Sequence, residues 1–371
     1  MQIKQMIMLI LSLIFLDVTS FASDLKDKMS FGINTYNDNA DVQVYSPTFA
    51  LYKKLGSQWL LGVKMRIDAV TAASIKNGSD ATHVDAVTAA SSKESIADDI
   101  RYAPTAMLTY DDGDNTLTFG AYYSTEADYI GKAVFVNYVK QLNEQNTAVG
   151  IGFSQSFDKW EPVFARELPK DNRDETKIDF SINQLITPEF SMQAVYSYMY
   201  SAGFLSSPYH FTLQDNIAKY ENYPDTRTGH AFALKGVSLL SKDNAMNFSY
   251  RYYMDDWDIK SHTANVEFLH DISHNITSGL RLRYYTQTAS NFVKPVGSYT
   301  LNDKYYAIDY RMSAFDSYTI GIPFIYRMKG GDKLTASIDY YKTSSNAYLK
   351  NWYNVDSLQS VFTTLTYEFD Y

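Results

Sequence analysis

The chain has 371 residues, 33 Lys and Arg against 42 Asp and Glu, a formal charge of −9 and no Cys. The acidic balance argues against nucleic acid as a partner, and zero Cys excludes disulfides, thiolate chemistry and Cys-ligated metal. Thirty-two Tyr and 21 Phe beside nine Pro suit an ordinary β-protein as well as the aromatic girdles of a membrane barrel, so they decide little alone.

The N-terminal segment reads as an address. Lys4 precedes an apolar run from Met6 to Phe15, and Ser20-Phe21-Ala22 supplies small residues where a signal peptidase cuts. Residues 1–22 are expected to be a signal peptide cleaved after Ala22, leaving residues 23–371 as one domain. The run is too short to cross a bilayer as a helix, and no later stretch reaches about eighteen consecutive apolar residues. No Cys follows it, which excludes lipoprotein anchoring.

From Lys28 onward, segments of about ten to fourteen alternating residues recur between turn signals. Trp59, Leu61, Val63, Met65 and Ile67 alternate with Lys64, Arg66 and Asp68. Ile178, Phe180 and Ile182 alternate with Lys177 and Asp179; Phe248, Tyr250 and Tyr252 with Ser249, Arg251, Tyr253 and Asp255; Leu280 and Leu282 with Arg281 and Arg283. The period of two belongs to strands with unlike faces. An Arg or Lys facing lipid at the midplane costs roughly 2–4 kcal/mol, so the charged faces must line an interior. Acidic and basic residues are mixed there, which predicts ion pairs more than a field of one sign.

Tight turn signals at 55–57, 111–115, 143–146, 187–189, 241–244, 273–275 and 329–332 alternate with long connections near 71–98, 159–175, 203–228, 289–303 and 345–357. The Asp111–Asn115 cluster lacks the later ligands of a calcium loop and reads as a turn. The count predicts an all-β fold, a transmembrane antiparallel β-barrel of about 16 strands, within 14–18, with long extracellular loops. It treats 305–328 as one long strand. The final stretch, Val361 to Tyr371, alternates too and is expected to pair with the first strand, since an exposed edge there would invite aggregation. Its aromatic end resembles the C-terminal signature that the barrel assembly machinery of outer membranes reads.

One feature needs more than a barrel. Asp68-Ala69-Val70-Thr71-Ala72-Ala73-Ser74 recurs as Asp85-Ala86-Val87-Thr88-Ala89-Ala90-Ser91, a local duplication. The segment is similar to the acceptor motif of bacterial flavin transferases, which attach FMN through its phosphate to a hydroxyl side chain. That resemblance implies Ser74 and Ser91 as attachment points, Asp68 and Asp85 as recognition residues, Thr71 and Thr88 nearby, covalent FMN as cofactor and a periplasmic flavin transferase as partner. Ala72 and Ala89 stand where Gly or Ser is more usual, and Ser74 and Ser91 where Thr is. The plain alternative is a small-residue loop duplicated by slippage.

The runs Tyr220-Glu221-Asn222-Tyr223-Pro224-Asp225-Thr226-Arg227-Thr228-Gly229-His230-Ala231 and Asp309-Tyr310-Arg311-Met312-Ser313-Ala314-Phe315, with the doubled segment, resemble an uncharacterised family of Gram-negative outer-membrane proteins known only as a domain of unknown function. The resemblance implies an exported barrel in contact with outer-membrane lipid, over nearly all of the mature chain. From the residues themselves, Glu221, Asp225, Arg227 and His230 are expected in the longest loop, before a strand entering at Ala231. Arg227 is then either a constriction residue in the lumen or half of a salt bridge tying loop to rim. Arg251, Arg281, Arg283 and Arg311 are expected to be lumen residues paired with Asp179, Asp255 or Asp309.

No catalytic constellation emerges. His83, His210, His230, His262, His270 and His274 are scattered, without Gly-x-Ser-x-Gly or a metal-ligand spacing. Three readings stay open: a channel or transport barrel, a flavinylated barrel that passes electrons, and a structural or assembly-partner barrel without a pore.

Overall fold

The computed structural model describes residues 26–72, 99–161, 171–206 and 211–371. The expected signal peptide, Ser74 and the whole second copy of the doubled segment, Asp85, Thr88 and Ser91 included, lie outside the described residues.

Alternation produces strands throughout. In chain order they are β1 (Lys28–Asp38), β2 (Val42–Leu55), β3 (Trp59–Ala72), β4 (Asp99–Asp111), β5 (Asn115–Thr125) and β6 (Tyr129–Leu142). There follow β7 (Thr147–Trp160), β8 (Asp171–Thr187), β9 (Phe190–Gly203), β10 (Phe211–Gln214), β11 (Ile217–Tyr220) and β12 (Thr226–Ser241). The last are β13 (Asn244–Asp255), β14 (Lys260–Ser273), β15 (Ile276–Gln287), β16 (Phe315–Arg327), β17 (Lys333–Thr343) and β18 (Gln359–Asp370). Sixteen of them close into an antiparallel barrel in which each strand pairs with its chain neighbour. The exception is β9, which pairs with β12 because β10 and β11 form a separate two-stranded sheet in the intervening loop. Closure is made by β1 on β18, in register from Lys28 opposite Asp370 to Asp38 opposite Ser360. The final strand therefore has no free edge.

The two faces separate as their period demands. Phe31, Ile33, Val134, Phe180, Ile182, Phe232, Leu234, Leu280, Leu282, Ile320, Ile322, Ile338 and Leu365 all stand exposed on the outside. A continuous apolar belt of that kind is the lipid face of a barrel; on a water-soluble molecule it would be an aggregation site. Toward one end Tyr196 and Tyr250 join it, their hydroxyls meeting Nδ1 of His230 at 2.9 Å and of His262 at 2.6 Å.

The barrel ends differ. At the end where β1 begins and β18 finishes, the connections are the tight turns read from the sequence. In one of them Asp112 Oδ1 accepts from the backbone N–H of Asn115 at 2.7 Å and of Asp114 at 3.1 Å, and Asp111 Oδ1 from Gly113 at 2.7 Å. The Asp side chains thus cap their own backbone, and those donations hold the Asp112 carboxyl below its usual range.

The other end carries the long connections, and here two expectations need correction. The segment 305–328 is not one strand: β16 starts at Phe315, and 288–314 is a single long loop with a 3-10 turn at Tyr310–Met312. Ile308, Tyr310 and Met312 alternate like a strand, but their side chains are buried in loop clusters instead of a wall. Likewise β12 begins at Thr226, not Ala231, because its pairing with β9 extends to Thr226 opposite Ala202. Arg227 and His230 are strand residues, not loop residues. The connection from β17 to β18 contains one short helix, α1 (Ala347–Tyr353), capped by the Asn346 side chain and ended by Asn354 in the left-handed region at φ 53°.

Candidate functional site: the charged lumen and its loop core

Inward positions of the wall carry charge, and most of it is paired. Asp68 on β3 is buried and accepts from Arg66 Nε at 2.7 Å, from Arg101 Nε on β4 at 2.8 Å and from the Ser46 hydroxyl on β2. Lys177 lies 3.0 Å from Asp179, which also takes a bond from Ser197. Glu368 near the seam stands between Lys28 at 3.4 Å and Lys333 at 3.0 Å.

The inner face of β13 to β17 is ordered in rows. One row runs Asn247, Glu267, Arg281, Gly321, Asp339 across the five strands. Arg281 bonds Glu267 beside it, Nε to Oε2 at 2.7 Å, and reaches across β16 to Asp339 at 3.1 Å. The reach is open because residue 321 has no side chain: a Cβ there would lie 1.8 Å from Asp339 Oδ1. The next row toward the loops is Ser249, Asn265, Arg283, Thr319, Tyr341, and the one after is Arg251, Thr263, Tyr285, Ser317, Thr343. Neither contains a carboxylate. Arg251 lies over the Tyr253 ring, 5.1 Å from its centroid, and Arg283 has Tyr341, Tyr285 and Arg251 as its ionisable neighbours.

At the rim, charge is paired again. Arg227 on β12 bonds Asp255 on β13, Nε to Oδ2 at 2.9 Å, with its guanidinium 4.5 Å from the Trp257 ring centroid. Asp255 Oδ1 meanwhile accepts from the backbone of Trp257 and Ile259, both at 3.0 Å, and so fixes the 256–259 turn. Arg227 is therefore paired, but between two neighbouring wall strands and not from a loop to the rim.

Above the rim the long loops pack on one another. Tyr223, Trp257, Ile259, Phe292, Ala307 and Met312 form one buried cluster, with Tyr253 of the wall against it. Ile308, Tyr310, Tyr348, Leu349 and Leu358 form a second, against Tyr341. Glu221 joins two loops: Oε1 accepts from the backbone of Ile308 and of Asp309, the latter at 2.9 Å, and Oε2 from the Tyr223 hydroxyl at 2.8 Å. Arg311 closes on Asp309, Nε to Oδ1 at 2.8 Å, and Gln287 of the wall donates to the backbone carbonyls of Arg311 and Ser313, each at 2.7 Å. Burial works against the Arg311 charge, but the Asp309 carboxylate outweighs it and raises the guanidinium above its ordinary value. Burial pushes the phenols of Tyr223 and Tyr310 well up.

The expected partners of the arginines were thus partly misassigned. Arg311 does pair with Asp309, and Asp255 serves Arg227; Arg281 uses Glu267 and Asp339, which sequence reasoning missed. Arg251 and Arg283 have no carboxylate partner among the described residues. The signal for Glu267 and Asp339 was present, since both occupy inward positions, but matching them to Arg281 requires the register of three strands. Asp68 and Thr71 of the doubled segment lie on β3, and Asp68 is committed to the wall.

Fold and lumen together define an outer-membrane type of transmembrane barrel. The profile of a family described as Protein of unknown function (DUF3570) matches residues 17–369, and the chain belongs to that family. No functionally curated protein matches it. Among solved structures it is similar to a bacterial polysaccharide outer membrane secretin, with TM-score 0.52 at 9% identity, covering 94% of this chain and 100% of that one. It is also similar to CdiB from Acinetobacter baumannii, with TM-score 0.51 at 8% identity, covering 92% of this chain and 60% of CdiB. The siderophore receptor PirA from Pseudomonas aeruginosa aligns at TM-score 0.47 and 9% identity over 87% of this chain, which spans only 57% of that receptor. At such identities the likeness is one of fold.

Proposed function

We propose that this barrel is a solute channel of the outer membrane, with the loop end outside and the loop core narrowing its outer mouth. One observation carries the reading: sixteen strands enclose more width than inward side chains fill, and those side chains are charged and polar while the outer belt is apolar. A barrel serving only as a structural or assembly partner has no need of a lumen lined in this way. Reconstitution in planar bilayers tests it. Discrete conductance steps are expected, enlarged when the loop core is loosened; a silent membrane under every ionic condition would refute the channel and leave the structural barrel.

The doubled segment supports a second reading, covalent flavin in extracytoplasmic electron transfer. FMN there would supply reversible one- and two-electron chemistry. In the folded barrel Asp68 is buried under Arg66, Arg101 and Ser46 and offers no free carboxylate to a transferase, so recognition of the first copy would have to precede folding. Intact-mass measurement after co-expression with a flavin transferase decides: one or two added flavinyl groups support this reading, and an unmodified mass with no in-gel fluorescence removes it.

A further inference from the structure

We infer that Arg251 and Arg283 form an oxyanion-binding site in the lumen, beneath the loop core. The inference rests on the channel reading and adds the class of solute the channel selects.

Charge on this part of the inner wall is unbalanced. The carboxylates of the row below, of the rim and of the loop core are already engaged: Glu267 and Asp339 by Arg281, Asp255 by Arg227 and a turn, and Asp309 by Arg311. On β13 to β17, two consecutive rows hold two guanidinium groups and no acid. Arg251 and Arg283 stand two strands and one row apart, about 12 Å between Cα atoms from ordinary sheet spacings. Two arginine side chains span that distance when both forks meet one tetrahedral or planar oxyanion. Their other neighbours, Tyr253, Tyr285 and Tyr341, are aromatic, so the groups available there to offset two like charges are hydroxyls and ring faces.

Position makes the site more than a coating. Tyr253 and Tyr341 pack against the two loop clusters from below, so the arginines lie directly under the narrowed mouth. A solute passing the loop core meets them next. The chemistry they recognise is a phosphate or carboxylate group on a small solute, held bidentately.

The test uses the full barrel folded in detergent, with inorganic phosphate titrated by calorimetry and folding checked by the mobility shift on boiling. Saturable phosphate binding is expected, weakened at least about tenfold in the R251Q/R283Q double variant and partly restored in R251K/R283K, which keeps charge but not the fork. Undiminished binding in R251Q/R283Q, or no binding by the wild-type barrel, overturns the site. Conductance of the same proteins separates the two ideas. Phosphate binding without conductance refutes the channel alone, whereas conductance with an ion selectivity indifferent to R251Q/R283Q refutes the anion site alone.

Discussion

Arg281 and Asp339 meet at 3.1 Å across a strand that belongs to neither of them, above Gly321 of β16. The gap in that strand is what permits the contact. Gly321→Ala sets a methyl into the Asp339 carboxylate and should part the pair while leaving both charges inside. A loss of about 1–3 kcal/mol is expected in urea-unfolding midpoints of the folded barrel, and Gly321→Ala with Asp339→Ala should recover part of it. An unchanged midpoint would show the contact to be slack.

Asp68 predicts a larger effect. Its removal strands Arg101, which is 8% exposed, and deprives Arg66 of its carboxylate. Asp68→Ala should cost about 3–5 kcal/mol, read as loss of the boiling-dependent gel shift at a lower temperature. If the variant instead matched wild type, the ion-paired wall between β2, β3 and β4 would contribute nothing to stability.

Glu221 acts on the mouth and not on the wall. Glu221→Ala leaves the N–H groups of Ile308 and Asp309 without their acceptor, at about 1–3 kcal/mol each. Limited proteolysis of the folded barrel should then cut within 288–314 at rates well above wild type, with the global unfolding midpoint nearly unmoved.

Alkali should loosen the same region. The folded phenols of Tyr223 and Tyr310 titrate above their unfolded value because burial favours the neutral form. Their contribution is complete below about pH 10 and declines as pH rises from there toward the folded values. Proteolysis of 288–314 should therefore accelerate above about pH 10 before the barrel itself unfolds.

Face assignment admits a paired test. Ile320, 47% exposed, looks outward from the middle of β16, and Thr319 looks inward. Ile320→Arg should cost roughly 2–4 kcal/mol in lipid, and Thr319→Arg far less. Equal costs would mean the two faces are exchanged.

Most of the wall was legible because alternation is a local property. Leu280, Leu282, Arg281 and Arg283 announce their faces without reference to any other strand. The loop core was not, because burial among loops imitates burial in a wall. Ile308, Tyr310 and Met312 keep a strand's period while packing on Trp257 and Leu349, and Asp309 turns the chain by accepting from Arg311 N–H. The candidate site fell between these cases. Arg251 and Arg283 were recognisable as lumen residues, yet their lack of a carboxylate shows only after register has assigned Glu267, Asp339 and Asp255 elsewhere.

The seam has a consequence for how the molecule comes into being. Lys28 and Glu368 touch across 340 positions of chain, so the cylinder cannot be sealed while any intermediate segment is still in transit. Until then β1 and β18 are two open hems, and whatever delivers the polypeptide to its bilayer must keep both from sticking to strangers. Of all the strand pairings this one closes the longest loop of chain and so carries the largest closure entropy, and once made it leaves neither β1 nor β18 with an open edge.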